Sequence, residues 1–366
     1  MPLSRRLAVA AGFTAVTAMG GLFGFSRWTR SRLESELKDA ESFLTSAPER
    51  PGGMVYRQFG ATGLRVSEIG FGSWGIGGRA YGAVEKSVAL NALSVAEELG
   101  CNFVDTAMVY GDAEPVVGEF LAGRRSRWIV ATKFSGQEEG MARTVEDQLR
   151  RLGTDVIDFY QIHWAPGRDE GNLYEDIYRL KKAGKIRFAG VSLNSGRHID
   201  FIADNTEIDG IQVPCSLLDP FPFVDRLPKI RARRLAVVIR SSLREGFLTG
   251  KYTRNSTFTD QADRRRKLSR DEVASLVDKA ERFRFLEAEY GSMAIAAARY
   301  PLSFPEASTV ILGTKSSDQA RVNFGTVPGG RLSAASLARI QEVQMELGSR
   351  YNGNWFMDRV RSGAGL

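Results

Sequence analysis

Short apolar runs alternate with stretches of helical periodicity along most of this 366-residue chain. Short apolar runs bounded by turns are typical of buried strands, whereas apolar residues three and four apart are typical of helices. Strands separated by helices run parallel, so the pattern predicts an α/β protein with a parallel sheet. The predicted strands are Ile69–Ser73, Phe103–Asp105, Trp128–Thr132, Val156–Ile162, Ile186–Ser192, Gly210–Val213, Leu235–Ile239 and Thr309–Leu312. Helical stretches between them include Lys86–Leu99, Ala113–Leu121, Thr144–Leu152 and Leu173–Lys182.

Eight strands with a helical stretch after each is the count of a (β/α)8 TIM barrel, and we predict that fold. A doubly wound sheet with a Rossmann site is the alternative. It is disfavoured because no G-x-G-x-x-G follows an early strand with an acid about twenty residues on. Val55–Phe59 and Arg65–Ile69 flank the turn A-T-G and predict an N-terminal β-hairpin ahead of the barrel.

An apolar leader precedes the predicted hairpin. Residues 7–25 are uncharged, and residues 1–32 carry five arginines and no acid. That length is near the minimum for crossing a bilayer, so we predict a membrane anchor. A cleaved export or organelle signal and a helix that packs on the domain are the alternatives. The predicted organisation is a leader at 1–32, a linker at 33–53, a barrel at 54–350 and a C-terminal tail at 351–366.

The net charge of +7 is concentrated in this leader, and the rest of the chain is nearly neutral. The sequence therefore argues against a nucleic-acid-binding protein, and the basic cluster Arg264–Lys267 is interpreted as a solvated loop. Cys101 and Cys215, the two cysteines, form no CxxC and have no metal-ligand spacing. They argue against a disulfide framework and against a metal site, and they fit a reducing compartment.

Three predicted strands deliver ionisable side chains to one edge of the sheet. Asp105, Lys133 and His163 stand at or just after the ends of consecutive apolar runs, and Tyr110 follows Asp105 on the next loop. The carboxyl ends of barrel strands meet at one face, where TIM-barrel chemistry occurs. Taken singly, such an Asp is usually a helix cap and such a Lys is usually solvated. Together, the set predicts one site for proton transfer, in which the ammonium of Lys133 would lower the pKa of the Tyr110 phenol and a neutral His163 could donate a hydrogen bond.

Motifs that run from about Met54 to about Leu347 carry a family resemblance. They include N-F-V-D-T-A-M-V-Y-G, A-T-K, L-G-T-D-V-I-D-F-Y-Q-I-H-W, K-A-G-K-I-R-F-A-G-V-S, L-R-E-G-F-L-T-G-K-Y and V-I-L-G-T-K-S-S. In this order the sequence resembles the aldo-keto reductases, NAD(P)H-dependent carbonyl reductases on a TIM barrel. The resemblance implies that Tyr110 donates the proton, His163 orients the substrate, and Asp105 and Lys133 tune Tyr110.

The resemblance also implies positions for the cofactor and the substrate. Trp74 and Trp164 would line the substrate pocket, with core packing as the alternative. Lys315, beside Thr314 and Ser316, would meet the 2′-phosphate of NADP(H). The sequence departs from the family at Leu193, where an Asn is usual, and at Val322, where an acid is usual. The implied cofactor-binding residues are Ser192, Gln212 and Arg240 at the nicotinamide, Ser241, Leu243 and Gly246 in the loop that crosses the pyrophosphate, and Gly313, Thr314, Lys315, Gln319 and Asn323 at the adenosine 2′-phosphate and adenine.

The predicted function is transfer of a hydride from NADPH to the carbonyl carbon of a small aldehyde or ketone. The alternatives are a cofactor-binding regulatory subunit of a membrane assembly with little turnover, and a membrane-tethered interaction protein on an inactive barrel. We predict a membrane-anchored chain whose barrel faces the cytoplasm; export, organelle targeting and a cytoplasmic location are the alternatives. The sequence leaves the oligomeric state open.

Overall fold

A computed structural model describes residues 53–78, 81–166 and 172–348. The predicted leader and C-terminal tail, and the linker up to residue 52, lie outside the described residues. Within those three ranges no helix is both long enough and apolar enough to cross a membrane.

Eight parallel strands close into a barrel, as the sequence predicts. The last strand pairs with both its predecessor and the first strand of the ring, and this pairing completes the closure. The barrel strands are β3 (Ile69–Gly72), β4 (Phe103–Asp105), β5 (Ile129–Phe134), β6 (Ile157–Ile162), β7 (Ile186–Ser192), β8 (Gly210–Pro214), β9 (Ala236–Arg240) and β10 (Thr309–Gly313). Strand β5 runs past the predicted end at Thr132, so Lys133 lies inside it, where its backbone pairs with Gln161.

Helices follow the strands and surround the barrel. The α-helices of the described ranges are α1 (Lys86–Glu98), α2 (Ala113–Leu121), α3 (Gly140–Leu152), α4 (Asn172–Lys182), α5 (Gly196–Asn205), α6 (Phe221–Val224), α7 (Leu227–Arg233), α8 (Arg270–Glu281), α9 (Glu287–Tyr290), α10 (Met293–Leu302), α11 (Ser317–Gly325) and α12 (Ala334–Glu346). Short 3-10 turns at Ser73–Ile76, Met108–Tyr110 and Arg244–Thr249 lie in loops at the carboxyl ends of strands.

Helix α3 shows how the sequence sets one of these elements. Met141, Val145, Leu149 and Leu152 fall on one face at helical spacing and are buried. The helix ends at Gly153, whose φ of 61° is the left-handed conformation that glycine adopts without a Cβ penalty. The helix begins at Gly140, earlier than the predicted Thr144. Met141 is the one buried residue of this first turn, and Gly140 is a poor helix former, so the sequence signal there is weak.

The N-terminal hairpin, β1 (Tyr56–Gln58) and β2 (Arg65–Ser67), closes the amino-terminal end of the barrel. Its loop buries Phe59 among inward-facing residues, with the ring 5.0 Å from that of Phe159 and 5.7 Å from that of Phe103. Burying such a side chain stabilises the fold by about 1.5–3 kcal/mol. Because this end is plugged, the open end of the barrel lies at the carboxyl ends of the strands.

Candidate active site

A buried ion pair lies at the carboxyl end of β4 and β5. The Lys133 Nζ is 2.8 Å from Asp105 Oδ1 and 2.7 Å from Asp105 Oδ2, and it also donates to the Thr106 carbonyl oxygen at 2.8 Å. Lys133 is 0 % and Asp105 1 % exposed. Burial by itself lowers the pKa of Lys133, but Asp105 and Tyr110 raise it, and the net direction is upward. Lys133 therefore remains an ammonium inside the barrel.

Tyr110 ends the 3-10 turn that follows β4 and stands over this ion pair. The Lys133 Nζ lies 5.1 Å from the centre of the phenol ring. Burial raises the pKa of Tyr110, whereas the charge of Lys133 lowers it, and the net direction is upward. The expectation that Lys133 brings the pKa of Tyr110 below its ordinary value is therefore wrong. Desolvation of the phenolate outweighs the attraction of the ammonium, whose charge is largely offset by Asp105.

His163 follows β6 directly and faces Tyr110, with 5.9 Å between the two ring centres. Its Nδ1 is hydrogen-bonded to the Ser135 hydroxyl at 2.8 Å. Burial, together with the positive charges of Lys133 and Arg240, lowers the pKa of His163 to about 3. The imidazole is therefore neutral near pH 7, as the sequence predicts, and is suited to donating or accepting a single hydrogen bond.

The two predicted pocket tryptophans make different contacts, and only Trp74 has a ring contact with Tyr110 in the described ranges. The ring centre of Trp74 is 6.0 Å from that of Tyr110 and 5.3 Å from that of Tyr81. Trp164 packs against Phe134, with 5.9 Å between ring centres. Both indoles are partly exposed, so neither is a residue of the closed core. An apolar group bound beside Tyr110 would meet Trp74 first.

Polar residues from the neighbouring strands reach the same ion pair. Gln212, on β8, donates its amide to Asp105 Oδ1 at 2.8 Å, and the Ser192 hydroxyl lies 3.5 Å from the Gln212 side-chain oxygen. Arg240, the last residue of β9, donates to the Leu193 carbonyl at 3.1 Å and to the Asn194 side chain. The three predicted nicotinamide contacts, Ser192, Gln212 and Arg240, therefore adjoin the Asp105–Lys133–Tyr110 group.

The loop after β9 has an unusual backbone. Ser241 has φ of 60°, Arg244 of 47° and Glu245 of 56°, and Gly246 has φ of 90°. Non-glycine residues rarely hold left-handed conformations, each at a cost on the order of 1–3 kcal/mol, and they cluster where a loop is shaped for a ligand. The predicted pyrophosphate residues Ser241, Leu243 and Gly246 all belong to this loop.

The predicted adenosine residues lie around the start of α11. The Asn323 amide donates to the Thr314 hydroxyl at 2.9 Å and to the Gly313 carbonyl at 3.5 Å, and the Lys315 backbone donates to Gln319 Oε1 at 2.8 Å. The Lys315 ammonium donates to the Tyr81 carbonyl oxygen. A helix N-terminus with a lysine ammonium beside it suits a phosphate.

Taken together, these residues have the chemistry that could hold a dinucleotide. They comprise an inward-facing amide and hydroxyl beside the ion pair, a loop with left-handed backbone, and a helix N-terminus with an adjacent lysine. The residues of each group come from consecutive strands β7, β8, β9 and β10 and lie at the carboxyl ends of those strands or just beyond.

Several residues that support the ion pair were not predicted from the sequence. The Gln161 amide lies 3.3 Å from Asp105 Oδ1. Behind β5, Gln148 donates to the Lys133 carbonyl at 3.0 Å and to Glu114 Oε1 at 2.7 Å. Burial raises the pKa of Glu114. Gln161 lies two positions before His163, and Ser135 lies two positions after Lys133. Residues two apart share a face of a strand, so this spacing could have identified both from the sequence.

Comparisons with known proteins bear on the identity of this site. The model of the Aldo/keto reductase family matches residues 68–345. The chain is 29% identical over 291 residues to the aldo-keto reductase YhdN of Bacillus subtilis, covering 73% of this chain and 86% of that protein. It is 26% identical over 299 residues to the NADH-specific methylglyoxal reductase of Escherichia coli, covering 73% and 92%. The holo structure of aldo-keto reductase AKR11C1 from Bacillus halodurans superposes with a TM-score of 0.66 at 29% identity, covering 79% and 96%.

Proposed function

The chain belongs to the aldo/keto reductase family, and from that premise we propose that it reduces small aldehydes or ketones with NADPH, using Tyr110 as the proton donor. The observation that carries the proposal is the buried Lys133–Asp105 pair, with Nζ–Oδ distances of 2.7 and 2.8 Å, held beside a phenol and a neutral imidazole. Because desolvating two charges is costly, a buried ion pair in contact with a tyrosine at the open end of the barrel favours a catalytic role over an interaction surface.

Each residue has a distinct part in the proposed reaction. When bound, NADPH supplies the hydride to the carbonyl carbon. Tyr110 gives its proton to the carbonyl oxygen, and its raised pKa keeps that proton in place at neutral pH until charge develops on the oxygen. Lys133 stabilises the phenolate that remains, and Asp105 keeps Lys133 in position. A neutral His163 donates a hydrogen bond to the same oxygen as negative charge develops on it.

The preference for NADPH is proposed from Lys315. The Escherichia coli relative is named as NADH-specific, so family membership does not decide the dinucleotide. Lys315 stands beside Ser316, with no acid between Gly313 and Ser317, so a 2′-phosphate would meet one positive charge and one hydroxyl donor. The Thr314 hydroxyl is buried and donates to the Leu312 carbonyl at 3.1 Å. The contact of Lys315 with the Tyr81 carbonyl is one that a phosphate could replace.

The test is a pair of measurements on the purified full chain. Binding of NADPH and of NADH is measured by fluorescence, and oxidation of NADPH is followed with a reactive aromatic aldehyde such as 4-nitrobenzaldehyde. We expect tighter binding of NADPH and steady turnover of the aldehyde. Binding without turnover of a range of aldehydes and ketones would favour the regulatory-subunit alternative, and no binding of either dinucleotide would refute both.

We also propose that residues 1–32 anchor the chain in a membrane and that the barrel, residues 54–350, follows a linker at 33–53 and faces the cytoplasm, ahead of a tail at 351–366. The support is the uncharged run at 7–25 and the need of an NADPH-dependent enzyme for the reduced internal pool. Membrane fractionation and protease treatment of intact cells test this. A shortened chain outside the cytoplasm, or a full-length chain in the soluble fraction, would contradict it.

A further inference from the structure

Ser135 stands one residue beyond β5 and shares a hydrogen bond with His163. The pairing of β5 with β6 continues past the strand ends, because the His163 backbone nitrogen donates to the Phe134 carbonyl at 2.9 Å. Side chains two positions apart share a face of a strand, so Ser135 follows Lys133 and His163 follows Gln161 on the inward face. This register brings the Ser135 Oγ to 2.8 Å from His163 Nδ1.

The position of Ser135 is fixed by its own loop. Its backbone nitrogen donates to Gln137 Oε1 at 2.9 Å. The next residue, Gly136, has φ of 83°, and a Cβ there would lie 3.6 Å from the indole of Trp164. This turn holds the backbone of Ser135 in place, and the hydrogen bond to His163 Nδ1 orients its hydroxyl.

The location of the protons follows from what each group can accept. Burial and the charges of Lys133 and Arg240 lower the pKa of His163 to about 3, so at pH 7 the ring carries a single N–H. Among the acceptors in the described ranges, His163 Nδ1 is the one within reach of the Ser135 hydroxyl. A hydroxyl can donate or accept, so the contact itself fits either tautomer; with the hydroxyl as the donor to Nδ1, the proton of the ring lies on Nε2.

We propose that Ser135 is a positioning residue that holds His163 as the Nε2–H tautomer, so that the ring can donate to the carbonyl oxygen of the substrate. Nε2 has no hydrogen-bond partner among the described residues and is available for this purpose. The inference rests on the proposed function, because that function gives the Nε2 proton its use. A hydrogen bond to the second nitrogen is the general way in which the tautomer of a histidine is set.

The tautomer of His163 can be measured without an activity assay. The chain has two histidines, and His198 lies exposed on α5, so a 15N-histidine-labelled sample gives few signals and His198→Asn assigns them. Two-bond 1H–15N correlation spectra at pH 7 distinguish the Nε2–H from the Nδ1–H form. We expect His163 as Nε2–H in the wild type and in Ser135→Thr, which keeps the hydroxyl. In Ser135→Ala the Nδ1–H share should rise.

Kinetics give a second readout. With an aromatic aldehyde, Ser135→Ala should lower kcat by roughly 2- to 12-fold, the range that one hydrogen bond contributes, and leave the Kd of NADPH unchanged. Ser135→Thr should recover most of the loss. The matched control is Ser126→Ala, an exposed serine in the turn before β5, at the opposite end of the barrel, and it should change neither kcat nor the spectrum.

Two spectroscopic results would overturn the inference: a wild-type His163 that carries its proton on Nδ1, or a Ser135→Ala spectrum identical to that of the wild type. Either result with normal wild-type turnover refutes the role of Ser135 and leaves the proposed function standing. If Ser135→Ala shifts the tautomer but the wild type reduces no carbonyl compound, the role of Ser135 is supported and the proposed function is refuted.

Discussion

Replacing Lys133 with methionine isolates the buried ion pair on which the proposed chemistry depends. Methionine keeps an unbranched apolar stem of similar length but removes the ammonium. The variant leaves the Asp105 carboxylate, 1 % exposed, with the amides of Gln161 at 3.3 Å and Gln212 at 2.8 Å as its side-chain donors. The Thr106 carbonyl also loses its hydrogen bond from the lysine.

The expected loss of folding stability follows from the burial of both charges. Removing one partner of a buried ion pair costs about 3–5 kcal/mol, because the remaining charge is uncompensated. We expect about 3 kcal/mol for Lys133→Met, the lower end, since two amides still bind Asp105 and the carboxyl can take up a proton. The double variant Asp105→Asn/Lys133→Met removes both charges and should be less destabilised than the sum of the two single variants.

The assay is urea unfolding at pH 7, with the free energy of unfolding obtained by linear extrapolation. Lys86→Met is the matched control, because Lys86 pairs with Glu119 at 2.9 Å on the surface, where the two side chains are 62% and 51% exposed. An exposed pair contributes about 0–1 kcal/mol. A loss of stability in Lys133→Met no larger than that in Lys86→Met, or a double variant destabilised by the sum of the two single variants, would contradict the stabilising role of the buried pair.

Three further predictions follow from distances and charges in the site. The pKa of His163, about 3 in the folded chain, lies below that of an unfolded histidine, about 6.5, so acid favours the unfolded state. Stability should therefore fall between about pH 6.5 and 3 by at most about 1.4 kcal/mol per pH unit, and His163→Gln should flatten this dependence in urea unfolding at pH 7 and 5. Lys315→Ala should weaken binding of NADPH about tenfold, which is the value of one charge-assisted hydrogen bond, and should change binding of NADH little. Equal Kd values for the two dinucleotides in the wild type would contradict this. A Cβ at Gly77 would lie 1.5 Å from the Tyr110 carbonyl oxygen, so Gly77→Ala should lower kcat on the order of 10²-fold, whereas Gly325→Ala, with its nearest neighbour at 3.7 Å, should not.

The barrel could be predicted from the sequence because each strand and helix has its own local signal. Strands β4 and β7 and helix α2 occur with the predicted boundaries. The hairpin was also predictable, since its two strands flank a short turn. Strand β5 was not bounded correctly, because a lysine buried inside a strand is favourable only when a distant residue, here Asp105, neutralises it.

The candidate site was predictable where its members follow consecutive strands. The structure brings Asp105, Tyr110, Lys133 and His163 together at the open end of the barrel. The direction of the Tyr110 pKa was not predictable, because the sequence names the charged neighbour but does not show the burial that opposes it.

Supporting residues were harder to find than the central four. Gln148 and Glu114 are 34 positions apart and meet only because α2 and α3 pack side by side behind β5. Helix packing of this kind depends on the whole fold, so no local motif predicts it. Ser135, by contrast, carried a local signal in its spacing from Lys133.

The most direct test of the proposed function compares the wild type with Tyr110→Phe in NADPH oxidation by an aromatic aldehyde, with NADPH binding measured on the same samples. Tyr81→Phe, in the adjacent aromatic group, is the matched control for loss of a phenol hydroxyl. We expect Tyr110→Phe to lower kcat by about 10²–10⁴-fold with an unchanged Kd for NADPH, and Tyr81→Phe to leave kcat near that of the wild type. A Tyr110→Phe chain that reduces the aldehyde at the wild-type rate would contradict the assignment of Tyr110 as the proton donor.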